Sequence, residues 1–86
     1  MKYDLFLSRE AVKTLDSLDR LTERRISRRL DRLQTDPGRQ GKQLKGLEGL
    51  RVIRVGDWRL LYTVEENPAS IYIVAIRPRG QAYRNL

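Results

Sequence analysis

The sequence predicts an α+β fold in one domain: an N-terminal strand, an α-helical hairpin and a three-stranded antiparallel meander, ordered β-α-α-β-β-β. Three observations predict it. Two apolar repeats at helical spacing, Ala11-Val12-Leu15-Leu18 and Ile26-Leu30-Leu33, follow a short alternating segment. Runs rich in Val, Ile, Trp and Tyr fill the C-terminal half. No internal repeat, low-complexity tract or linker divides the 86 residues, so 1–86 reads as a single domain.

Residues 2 to 7 alternate polar and apolar, with Tyr3, Leu5 and Leu7 on one side, the period of a half-buried strand. Ser8 stands where an N-cap belongs, ahead of the first helical repeat. The second helix runs from Leu21 or Thr22 to about Thr35, where Asp36-Pro37-Gly38 stops it. So short a joint makes the helices an antiparallel hairpin whose apolar stripe needs a partner surface. Arg39 to Gly49 has three glycines and no clear period, and reads as a loop anchored by Leu44 and Leu47. Strands are then expected at Leu50–Val55, Trp58–Glu65 and Ile71–Ile76, separated by Gly56-Asp57 and by Glu66 to Ser70.

Composition narrows the chemistry. Hydrophobic residues make up 40% and charged residues 34%, which suits a folded soluble domain rather than a disordered basic tail. Cysteine and histidine are both absent, which removes disulfides, thiolate zinc sites and the usual serine-histidine and cysteine-histidine nucleophiles. No cofactor or metal is implied. The N-terminus has no apolar stretch of signal-peptide or membrane-spanning length, so a cytoplasmic location is expected. Eighteen Lys and Arg against eleven Asp and Glu give a formal charge of +7. A pI near 10.4 favours phosphate-rich partners.

A two-residue turn at Gly56-Asp57 sets a register in which Val55 faces Trp58, Arg54 faces Arg59, Ile53 faces Leu60, Val52 faces Leu61 and Arg51 faces Tyr62. One face then collects Val55, Trp58, Ile53 and Leu60, an apolar set for the helices, with Trp58 a core or strand-pairing aromatic. The opposite face sets Arg54 beside Arg59. Like charges opposed across a strand pair are destabilising. Two readings fit: the guanidinium groups splay into water or pair with Glu48 or Glu65, or they clamp a phosphate through bidentate forks. Lys42, Lys45 and Arg51 before and within the hairpin, and Arg77, Arg79, Tyr83 and Arg84 after it, could converge on the same face. A cationic cleft with an aromatic ring is what single-stranded RNA needs, since phosphates pair with Arg and Lys while an unstacked base lies on the ring. A second group, Arg24, Arg25, Arg28, Arg29 and Arg32, reads either as a solvated helix face with ion pairs or as a secondary contact to RNA phosphates.

The stretch Lys42 to Val64 (KQLKGLEGLRVIRVGDWRLLYTV), followed by Ile76 to Arg84 (IRPRGQAYR), resembles the RelE side of the RelE/ParE toxin superfamily. The resemblance joins a lysine-leucine-lysine-glycine loop, a basic strand, a glycine-aspartate turn, an aromatic-arginine-leucine strand and a basic C-terminal end with a tyrosine. It covers nearly the whole chain, and a RelE-like fold has the element order inferred above. It implies the toxin of a toxin-antitoxin pair, a ribosome-dependent endoribonuclease that cuts mRNA in the ribosomal A site and so inhibits translation. The reaction is metal-independent: the ribose 2′-OH attacks the adjacent phosphate, so one proton leaves, the phosphorane is stabilised and the 5′-oxygen is protonated.

On that resemblance Arg54, Arg59, Arg79 and Tyr83 are the catalytic candidates. Arg54 and Arg59 would hold the scissile phosphate, Arg79 would follow the last strand, and Tyr83 would stack on a base or join proton transfer. Lys42, Lys45, Arg51, Arg77 and Arg84 are the candidate RNA-binding positions. Many relatives have a histidine-arginine-arginine run where this sequence has Pro78-Arg79-Gly80, and some have lysine where it has Val52. The general base is therefore unassigned. The ParE-like alternative within the superfamily inhibits DNA gyrase by binding, without nuclease chemistry. A cognate antitoxin is expected in either case, and an acidic or amphipathic segment would mask so basic a surface.

Overall fold

The structure, a computed structural model, describes residues 2–84. Its elements are β1 (Asp4–Leu7), α1 (Arg9–Ser17), α2 (Arg20–Leu33), β2 (Lys42–Gln43), β3 (Arg51–Val55), β4 (Trp58–Glu66), β5 (Ala69–Pro78) and a 3-10 turn, Arg79–Gln81. The α+β fold is as expected, with one additional strand: β2 forms inside the expected loop and pairs antiparallel with β3 through Lys42↔Val52 and Gln43↔Arg51. A two-residue strand carries no periodicity to detect. Its approach to the sheet depends on Gly41, at φ +71, where an added Cβ would stand 2.6 Å from the Val52 carbonyl oxygen.

The five strands form one sheet in the order β1-β5-β4-β3-β2. β3, β4 and β5 are the antiparallel meander. β1 instead joins parallel to β5, pairing Asp4↔Ser70 through Leu7↔Ile73, which places the last strand between the first and the fourth. The hairpin register is the one that the two-residue turn dictates, from Arg51↔Tyr62 to Val55↔Trp58.

Caps define both helices. The Ser8 hydroxyl accepts from the Ala11 amide at 3.0 Å and donates to the Val74 carbonyl at 2.6 Å. Val74 is the residue left over where the β4–β5 register shifts from Leu61↔Ala75 to Tyr62↔Ile73, so the cap also satisfies a carbonyl beside the bulge. α2 starts slightly earlier than expected, because Asp19 caps it, accepting from the Thr22 amide at 3.0 Å and its hydroxyl at 2.6 Å, and it ends with its apolar repeat at Leu33 rather than at Thr35.

The core lies on one face of the sheet. Ala11, Ile26, Leu30 and Leu33 from the helices pack on Ile53, Val55, Leu60, Tyr62, Ile71, Ile73 and Ile76, with Trp58 partly buried beside them. Tyr62 is fully buried and its hydroxyl lies 2.6 Å from the Gln40 carbonyl and 3.0 Å from that of Pro37, so the β2 segment is pinned from inside the sheet.

Candidate nucleic-acid interface

Alternation puts Arg54, Arg59, Leu61, Ala75 and Arg77 on the second face, away from the helices. Arg54 pairs with Arg59 and Arg59 with Arg77, so three arginines stand side by side across β3, β4 and β5. Each resolves the repulsion differently. Arg77 leaves the row towards α1, where its Nε and Nη2 donate to the Glu10 carboxylate at 2.8 and 3.0 Å. That contact holds the Glu10 carboxyl below the usual glutamate range and raises Arg77. Its Nη1 donates to the backbone carbonyl of Arg84 and, at 3.5 Å, to that of Ala82.

Arg59 departs from the expected exposed clamp. It is 8% exposed, and its Nη1 donates to the carbonyls of Gly56 at 3.1 Å and Trp58 at 3.0 Å. The cause is a cover that strand alternation does not reveal. After β5 the Arg79 amide donates to the Asp57 carbonyl at 2.8 Å, and the C-terminal segment turns back across this face. Ala82, Leu61 and Ala75 are buried but lie outside the main core cluster.

Arg54 is left exposed, and neither Glu48 nor Glu65 reaches it: the ion pairs among the described residues are Arg77–Glu10 and Arg39–Asp36. Together with Lys42, Tyr83, Val52 and Arg29 it lines a cleft of about 570 Å³ at the β2–β3 edge. Tyr83 is 53% exposed and lines the cleft with Arg54. Arg54, Lys42 and Tyr83 are thus brought together from three separate parts of the sequence.

The other candidates are placed elsewhere. Lys45 lines a shallow depression with Gln43, Leu44, Gly46 and Glu48, next to the cleft. Arg79 is exposed on the 3-10 turn. Arg51 points to the helix side, its Nη2 donating to the carbonyls of Gln40 at 3.2 Å and Gly41 at 3.3 Å. Arg84 and Arg77 line a separate hollow with Glu10, Trp58 and Gln81. Arg29 is a cleft residue that the sequence places only in the helix group, and its Nη1 donates to the Gln40 side chain. Burial, and then the charge of Arg32, lower its pKa. Its place next to Ile26 and Leu30 on the apolar repeat was the available signal.

Residues 5–83 match the profile of the family described as ParE toxin of type II toxin-antitoxin system, parDE. A search of curated protein sequences returns no significant match. Among solved structures, the chain is 32% identical to a chain of an archaeal RelE-RelB complex from Pyrococcus horikoshii, covering 95% of this chain and 100% of that one with a TM-score of 0.77. It is 25% identical to a chain of the RelBE2 toxin-antitoxin complex of Mycobacterium tuberculosis, covering 92% and 100% with a TM-score of 0.82. It shares the fold of the intact E. coli RelBE toxin-antitoxin complex at 18% identity, covering 88% and 95% with a TM-score of 0.80.

Proposed function

Because the chain belongs to the RelE/ParE superfamily of toxins of type II toxin-antitoxin systems, we propose that it is a ribosome-dependent endoribonuclease that cleaves mRNA in the A site. The observation that supports this reading is the cleft in which exposed Arg54, Lys42 and Tyr83 meet with no carboxylate among its lining residues. An unpaired guanidinium beside an accessible aromatic ring fits a phosphodiester and its neighbouring base.

In this mechanism the 2′-oxygen bonds to phosphorus and the bond to the 5′-oxygen breaks. Arg54 takes the charge that builds on the non-bridging oxygens, with Lys42 at its side. Tyr83 stacks on the base or donates its hydroxyl hydrogen towards the leaving oxygen. Arg59 works from beneath, holding the Gly56-Asp57 turn and adding a buried positive charge under the phosphate. Lys45 stands next to the site and Arg79 offers an exposed cation on the 3-10 turn, while Arg51 and Arg77 are engaged by the protein's own groups and Arg84 lines the separate hollow. Arginine is a poor base, so proton removal belongs to a group beyond these side chains.

The partner is a cognate antitoxin, as in the toxin-antitoxin complexes that the chain resembles, and its masking segment would be acidic or amphipathic. The ParE-like reading, inhibition of gyrase by binding, is favoured by the family profile that matches. Mapping message ends on translating ribosomes after induction separates the two. Cleavage within A-site codons, lost with Arg54→Ala in a protein that still folds, is the expected result. Growth arrest with intact messages and accumulating relaxed DNA would transfer the assignment to gyrase.

A further inference from the structure

Arg25, Arg28, Arg29 and Arg32 stand at i, i+3, i+4 and i+7, and so share one face of α2. Glu23, Arg24 and Asp31 fall off that face. The arginine face looks onto the β3–β4 turn: guanidinium atoms of Arg25 lie 3.6 Å from where a Cβ on Gly56 would stand. With Arg54, Val55 and Gly56, the four arginines line a cavity of about 370 Å³. Among the described residues none of these five arginines is ion-paired, and the polar partner of Arg29 is the neutral Gln40 side chain. A solvated face stabilised by i, i+4 ion pairs is therefore not what forms. Like charges occupy those spacings instead, at Arg25/Arg29 and Arg28/Arg32.

Arg29 and Arg54 line both this cavity and the cleft that holds Tyr83. The two hollows are thus one cationic track, running from the tyrosine over the β3 edge and along α2. We propose that the α2 face binds successive phosphodiesters of the RNA backbone beyond the nucleotide held at Arg54 and Tyr83, without reading bases. This rests on the RNA reading of the cleft. Phosphodiesters fit better than an amphipathic peptide, because Val55 is the one sizeable apolar side chain in the lining, and because the track continues into a cleft with a stacking ring.

The test uses the full chain with R25Q/R28Q/R32Q and the charge-preserving R25K/R28K/R32K, both checked for wild-type melting. Affinity is measured against short and long single-stranded RNA, duplex RNA and polyglutamate as salt is raised. For long single strands, the glutamine triple should lower the slope of log K against log salt by about 2, at roughly 0.7 for each phosphate no longer neutralised. The lysine triple should keep the slope, and the shortest RNA should be indifferent to both. A weakening with the duplex as well would identify structured RNA as a further source of the phosphates. Equal slopes for the wild type and the glutamine triple on every RNA would overturn the proposal. So would a weakening confined to polyglutamate, which would assign the face to an acidic protein. Message mapping keeps the readings apart: uncut messages with an altered slope retain the track and remove the nuclease, while cut messages with equal slopes do the reverse.

Discussion

Arg59 shows how far a single position can move from what its neighbours suggest. Strand alternation puts it opposite Arg54 on the same face, and that pairing forms. Alternation carries no information about what later packs on the face, and the C-terminal segment with its buried Ala82 lies outside any periodic segment. The two arginines should therefore answer differently to truncation. Arg54→Ala removes an exposed side chain and should leave stability within about 0.5 kcal/mol. Arg59→Ala strips the donor from the Gly56 and Trp58 carbonyls and empties packed space, so a destabilisation of about 1–3 kcal/mol is expected in urea titration. Equal midpoints for Arg59→Ala and wild type would show that its hydrogen bonds contribute nothing net. Tyr62→Phe belongs to the same scale. It leaves the Pro37 and Gln40 carbonyls without their buried donor, and should cost about 1–3 kcal/mol while core packing is retained.

Among the elements, α1 was legible because its Ser8 cap and apolar repeat agree, and α2 because Ile26, Leu30 and Leu33 recur at helical spacing, although that repeat does not reveal the Asp19 cap and the helix starts a residue or two before the expected position. The β3–β4 hairpin was legible down to its register because a glycine-aspartate turn admits few alternatives. What stayed hidden are contacts between elements distant in sequence: β2 on β3, the arginine face of α2 over the turn, and the Glu10–Arg77 bridge from α1 to β5. That bridge makes a pH prediction. Since Arg77 lowers the Glu10 pKa in the folded state, its stabilisation is complete above the ordinary glutamate value of about 4.3 and disappears as pH falls through the lower folded value. Both partners touch solvent, so the effect is small and screened by salt. Denaturation midpoints at low salt should fall less between neutral pH and pH ~3 for Glu10→Gln than for the wild type. Parallel curves would mean that the bridge adds no stability.

For the whole molecule the dominant fact is the formal charge of +7 on an 86-residue chain. The acidic side chains pair only twice among the described residues, so the cationic field is little neutralised internally. Association with an acidic antitoxin segment should consequently be fast at low ionic strength, with an association rate that falls steeply as salt increases and a dissociation rate that changes less. Stopped-flow mixing across a salt series measures this, and a salt-independent association rate would point to an apolar interface. Charge and fold class could be read from composition and pattern at this scale. The convergence of cations and a tyrosine could be anticipated too, but not which members meet: Lys42, Arg54 and Tyr83 share the cleft, while Arg79, Arg77 and Arg84 do not line it.

The parallel pairing of β1 with β5 has a consequence in time as well as in space. Asp4 through Leu7 find their partners at Ser70 through Ile73, and β5 sits between β1 and β4. During synthesis the first strand must wait for the last one, so helices and the β3–β4 hairpin, which holds the central strand, can form early while β1 has no partner. The tail that completes the cleft follows later still, after β5. Each nascent chain is thereby kept from assembling its cationic site until the segment after β5 has been made.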